Sequence, residues 1–241
     1  SAGFSGLFHG PFYYYSLIVP FIIFKGDPYG GLVLMFVFSI GAIIMGYIIG
    51  KNMFGKGWGF LTALLFAISP PLISSARFIW NSHPSPFFIL IAFYYIYKMT
   101  KDKGINIFLS SFFSGFIYNF QSGIAIPLSI TLFIYALFIV RLRKISEIAC
   151  LLLGYLLAFF PLLLFNVRHD FISFKGITGY AGNLEQVAFS LGEKSVIRDH
   201  FNSFISSFFN SFPTQQIIPS IIFFLFFLFA TIILVTREKF I

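Results

Sequence analysis

Arg168, His169 and Asp170 stand in a row at the end of a long apolar run, and Arg77 closes the stretch SPPLISSARFIWN, residues 69 to 81. These residue types have definite chemistry. A guanidinium presents a planar fork that matches two oxygens of a phosphate or carboxylate. An imidazole titrates near neutrality and can donate or relay a proton, and a carboxylate can serve as a base or orient a partner. Each group also has a plainer reading. Arg168 and Asp170 can close a helix end as an interfacial ion pair, and Arg77 can snorkel to lipid headgroups. In His9-Gly10-Pro11, Gly and Pro impose a turn beside an imidazole that could hold an anion, or a surface histidine simply opens a helix. Asn119-Phe120-Gln121 follows a run containing Ser110, Ser111, Ser114 and Gly115. There Gln121, like Asn81 after Arg77, offers an amide to a ligand, whereas the small residues chiefly signal close helix packing. Ala42, Gly46 and Gly50 carry the packing reading alone.

Other chemistries leave no trace. No histidine pair has zinc spacing, no nucleophile elbow appears, and no glycine loop leads from a strand into a helix to cradle phosphate. The single cysteine, Cys150, lies in an apolar run and has no partner within the chain for a disulfide. No cofactor is implied; a divalent metal stays open, without a visible ligand cluster.

The elements that must position these groups are membrane elements. Apolar residues make up 58% of the chain, aromatics 22% and charged residues only 10%, against about a quarter charged in soluble domains. The windows 32 to 50 and 217 to 236 hold no charge and are long enough to cross about 30 Å of hydrocarbon. We therefore expect an all-α, polytopic membrane bundle of about seven spans: 30 to 50, 58 to 74, 84 to 98, 105 to 119, 122 to 141, 145 to 165 and 217 to 236.

Charge orients the bundle. Lys51 and Lys56, then Lys98, Lys101 and Lys103, then Arg141, Arg143 and Lys144, then Arg237 and Lys239 fall on alternate connections and hold ten of the sixteen Lys and Arg residues. The positive-inside rule places this set in the cytoplasm. With their acids these connections carry 10 − 3, or +7, and the remainder 6 − 5, or +1. The net charge of +8 thus reflects topology, and its short clusters build no continuous patch for nucleic acid.

Parity puts the connection 25 to 29 outside, while residues 12 to 24 would make a helix of only about 20 Å. We expect that segment to lie at the outer interface, its Tyr13, Tyr14 and Tyr15 in the headgroup zone; the rival is a tilted, kinked first span. The singled-out residues then share the outer face with a long loop, 166 to 216, and function concentrates in such loops. The chain starts without methionine or a signal peptide, so it reads as a single transmembrane domain from a longer protein, residues 1 to 29 ending a first outer loop.

Read in order, HGPFYYY, GKNMFGKGWGFLTALLFAISPPLISSARFIWN, the Gly115 to Gln121 helix end and PLLLFNVRHDF resemble bacterial members of the dolichyl-phosphate-mannose protein mannosyltransferase superfamily. These are glycosyltransferase family 39 and its aminoarabinose-transferase relatives, of the GT-C fold. The resemblance covers residues 9 to about 171. It implies a polyprenyl-phosphate-sugar donor, inverting transfer on the outer face of a bacterial plasma membrane, and interfacial helices in the first outer loop. It implies a donor phosphate near His9, and with the placement of the remaining cations the substrate-binding set is His9, Arg77, Asn81, Gln121, Arg168 and His169. The family's catalytic carboxylate precedes the position of His9, a stretch this sequence does not contain, so Asp27 and Asp170 are candidates by default. Where relatives often show a histidine after the Gln121 position, this chain has Ser122. The competing expectation is a lipid-linked sugar flippase or small-solute transporter, although no span centre carries a charge and no repeat is evident. Sugar, lipid carrier, acceptor and oligomeric state are not encoded legibly.

Overall fold

A computed structural model describes residues 10–169, 171, 193–210, 221 and 225. The described residues form helices and no strand. The chain divides into two compact units, Ser1–Ala67 with Leu72–Gly182, and Ile68–Pro71 with Asn183–Ile241.

The first unit is a run of apolar helices cut where charge or glycine interrupts them. They are α1 (Phe12–Ile23), α2 (Tyr29–Phe54), α3 (Lys56–Ala67), α4 (Pro70–Ala76), α5 (Ser85–Lys101), α6 (Gly104–Phe116), a 3₁₀ turn (Ile117–Asn119), α7 (Ser122–Phe138) and α8 (Ile145–Arg168). α1 rests on α2, α2 on α3 and α5, α5 on α6, and α6 on α8, while α7 packs on the 3₁₀ turn and α6. α2 and α8 are long and apolar enough to cross a membrane, and the α3–α4 pair makes a third if its two halves count as one span. That pair is bent by 61°. In place of the expected single span 58 to 74 stand two helices, either a broken span or a re-entrant pair, and the break precedes Pro70 and Pro71, whose nitrogens cannot donate to the preceding turn. The expected span 217 to 236 lies outside the described residues.

The chain reverses from α2 into α3 at Gly55, whose φ of 99° is open only to a residue without a β-carbon. At this end lysines stand one turn beyond tyrosines: the ammonium of Lys98 lies 4.9 Å from the Tyr94 ring centre and that of Lys101 4.5 Å from that of Tyr97. Such pairs let a cation sit at the polar boundary while its stem covers apolar surface. Lys103 meets Glu147 at 3.5 Å. Glu147 also accepts the backbone N–H of Arg143 and Lys144 at 3.1 and 3.3 Å, closing the start of α8.

Close packing follows the small residues, as expected of them. On the stripe Met35, Ser39, Ala42, Gly46 and Gly50, α2 is buried; a β-carbon on Gly50 would meet the Trp58 carbonyl at 2.9 Å. α6 meets α8 through Ser111 and Gly115, facing Gly154 and Ala158. Ser110 and Ser111 return their hydroxyls to carbonyls of their own helix, at 2.8 and 3.0 Å, which keeps the face small without leaving those groups unpaired. Two buried clusters result, one around Met35, Phe88, Ile117 and Phe120, the other around Met99, Ile107, Leu132 and Leu151. In the second unit, Glu193–Asn210 forms α9, which overlaps the serine-rich stretch 201 to 212.

Candidate functional site

The 3₁₀ turn after α6 is where distant parts of the sequence meet. Asn119 is 4% exposed and donates its side-chain N–H to the Phe116 carbonyl at 3.0 Å. Gly10 lies so close that a β-carbon there would fall 1.9 Å from the Asn119 side-chain oxygen. Asn81 donates to the Phe120 carbonyl at 3.4 Å, tying the segment after α4 to the same turn. Rings knit the rest: Phe12 packs edge-on against Phe116 at 4.6 Å, and Phe120 stacks on Phe88 at 4.8 Å. A small pocket of about 110 Å³ lies here, with Pro11, Tyr15, Asn119 and Pro161 among its walls. Three of the four quoted stretches thus line one pocket, and the fourth is bonded to its turn.

α1 serves this meeting point as a short element. With 12 residues it measures about 18 Å, against about 30 Å of hydrocarbon. Tyr14 and Tyr15 are exposed, but Tyr13 is buried in the core, where burial, then neighbouring Tyr14, push its phenol above its ordinary value.

Beside the pocket a larger groove of about 840 Å³ runs between α7 and α8. Its walls include Ile126, Leu152 and Phe159, and Tyr118, Tyr155 and Asn166 supply its polar atoms. The Tyr155 hydroxyl donates to the Ser129 carbonyl at 3.0 Å across the two helices. Asn166 is 1% exposed and donates to the Leu162 carbonyl at 2.9 Å.

Arg168 ends α8 and is exposed; His169 follows it. The His169 ring stacks on Phe165 at 4.2 Å, with Nδ1 2.9 Å from the Phe165 carbonyl. A carbonyl only accepts, so Nδ1 is the donor in this contact, and Nε2 has no hydrogen-bond partner among the described residues. Arg77 lines a different pocket, between α2 and the bent pair, and no hydrogen bond or ion pair joins it to Arg168 or His169 among the described residues. Gln121 is the first residue of the turn into α7: its carbonyl accepts from Ala125 at 3.1 Å, and its side chain caps nothing. Asn119, two residues earlier, is the amide built into the meeting point. The exposed Asp27 accepts the Tyr29 N–H at 2.8 Å, which accounts for it as a turn residue opening α2. His9 and Asp170 lie outside the described residues.

Gly10, Asn119 and Asn166 lie inside the quoted motifs but drew no ligand role from residue chemistry, and Ser39 was not singled out at all. Among the described residues no group of three or more His, Cys, Asp or Glu side chains could hold a metal. No protein-family model, curated protein or solved structure matches this chain.

Proposed function

We propose that this chain belongs to a seven-span, GT-C-like membrane glycosyltransferase that moves a sugar from a polyprenyl-phosphate donor to an acceptor hydroxyl at the outer face of the membrane. One observation carries the reading: Pro11, Asn119 and Pro161, from three of the stretches that resemble the mannosyltransferase superfamily, line a single pocket, and Asn81 of the fourth bonds to its turn. The neighbouring apolar groove suits the donor's hydrocarbon tail.

In the reaction the acceptor O–H gives its proton to a carboxylate base, its oxygen bonds to the anomeric carbon, and the bond from that carbon to the phosphate oxygen breaks. The lipid phosphate leaves with added negative charge. Cationic donors fixed where that charge appears favour the transition state over the ground state. Arg168 and the Nε2 side of His169 take this part, and His9 completes it. Asp170, which follows Arg168 and His169 in the sequence, is the candidate for that base.

The broken α3–α4 pair favours a second reading, a lipid-linked sugar flippase or small-solute transporter, because transporters build sites from discontinuous helices. Full-length protein in vesicles containing a polyprenyl-phosphate sugar separates the two. Transfer consumes the donor and labels the acceptor, and Arg168→Ala lowers the rate about 100-fold, the loss typical of one preorganised donor, with partial return in Arg168→Lys. Donor that crosses the bilayer intact, or full activity in Arg168→Ala, would end the transferase reading.

A further inference from the structure

A second pocket, of about 240 Å³, opens between α2 and the broken α3–α4 pair. Phe36, Ile40, Phe66 and Leu72 are among its apolar walls, and Ser39 and Arg77 are its polar members. The Ser39 hydroxyl is buried, at 7% exposure, and has no hydrogen-bond partner among the described residues. Ser39 stands ten residues into α2, about 15 Å along its axis, where no water is at hand in a bilayer. An unpaired hydroxyl there is costly, and native proteins rarely leave one so. The cavity lies at the bend, where α3 stops at Ala67 and α4 runs at 61° to it, and residues of both helices line it. Arg77, exposed at the end of this turn, adds a planar cation to the pocket.

We infer that this pocket is a binding site for an anionic phosphate headgroup, its phosphate on Arg77 and a further polar atom on the Ser39 hydroxyl. The size decides how much of a ligand enters. Drug-sized ligands take about 300 to 1,000 Å³, so 240 Å³ admits a headgroup and leaves any lipid tail in the bilayer. The site is separate from the pocket under Asn119 and does not depend on the transferase reading. A phospholipid headgroup and free phosphate share the chemistry.

The chain carries its own reporter. Its two tryptophans are Trp58 and Trp80, and Trp80, exposed beside Phe78, lies three residues past Arg77. In full-length Trp58→Phe protein, brominated phosphatidylglycerol quenches Trp80 about fivefold more effectively than brominated phosphatidylcholine at equal fraction, the preference that one cation gives an anionic lipid. Arg77→Gln removes the preference. Ser39→Ala, which only deletes an unpartnered hydroxyl, lowers it, and Ser39→Leu, which fills the pocket, abolishes it while circular dichroism shows unchanged helix content. Competition by millimolar inorganic phosphate assigns the site to the free ion, and its failure assigns it to the lipid headgroup. Equal quenching by the two lipids, or a preference that survives both Arg77→Gln and Ser39→Ala, overturns the inference.

Discussion

Gly154→Ala tests whether the α6–α8 seam is as tight as it stands. A β-carbon on Gly154 would lie 2.0 Å from the Ser111 hydroxyl oxygen, 2.5 Å from the Phe108 carbonyl oxygen and 2.9 Å from the Phe112 nitrogen. The hydroxyl can swing away, but the backbone atoms move only if α6 moves. Restoring ordinary contact to the Phe108 oxygen takes 3.4 − 2.5, or 0.9 Å, of separation. Gly115, one turn away on the same seam, has room for no β-carbon either, since one there would fall 2.9 Å from that of Ala158, so the displacement cannot stay local. Overpacking of this kind costs about 1 to 3 kcal/mol, and the helical preference of alanine over glycine returns about 0.5 to 1. The net loss is about 1 to 2 kcal/mol. Gly57→Ala supplies the control, since nothing lies within 4 Å of its β-carbon position; it shows only the small gain. Titration of the purified protein with sodium dodecyl sulfate in mixed micelles, followed by circular dichroism, should separate the two variants by about 2 kcal/mol, a factor of about 30 in the unfolding equilibrium. Equal midpoints for both would refute the packing argument.

Tyr155→Phe removes the hydroxyl that reaches Ser129 across the groove; we expect a loss of about 1 kcal/mol and faster exchange of a spin-labelled lipid chain into the groove, seen by electron paramagnetic resonance. Glu147→Ala should lower the unfolding midpoint more than Lys103→Ala, because the carboxylate serves two backbone N–H groups as well as the ammonium and alanine leaves them without an acceptor. Salt at 1 M should erase only the Lys103 effect, because exposed pairs are screened. On a Cys150→Ser background, cysteines placed at 77 and 168 should react with an impermeant maleimide from outside intact cells and a cysteine at 102 only after lysis; the reverse pattern would invert the orientation derived from the lysines.

Much of the architecture was legible because apolar runs end where charge or glycine must sit. The breaks near Gly55, at 102 to 104 and at 141 to 144 are marked by residues that cannot stay in hydrocarbon, and the helices stop there. The bend after Ala67 was announced by Pro70 and Pro71. Helix ends inside apolar sequence were not announced. α6 yields to a 3₁₀ turn at Ile117 and α7 ends at Phe138, because neighbouring isoleucine, valine and phenylalanine give no signal of where hydrogen bonding changes. At the site, Asn119 and Gln121 are chemically alike. What separates them is position: Asn119 ends the buried 3₁₀ turn, and Gln121, in extended backbone, caps α7 with its carbonyl. Ser39 hid as one hydroxyl in a greasy helix. Its spacing from Met35, Ala42 and Gly46, four before and three and seven after, places it on the buried stripe and was the available clue.

The α6–α8 seam joins helices that are not neighbours in the chain, with α7 passed over between them. During synthesis, then, α6 is made with its serine face uncovered and must wait for α8 to arrive. A ribosome that stalls after α7 therefore leaves a half-built bundle whose unmatched notch is open to quality-control proteases, and only the arrival of Gly154 closes it.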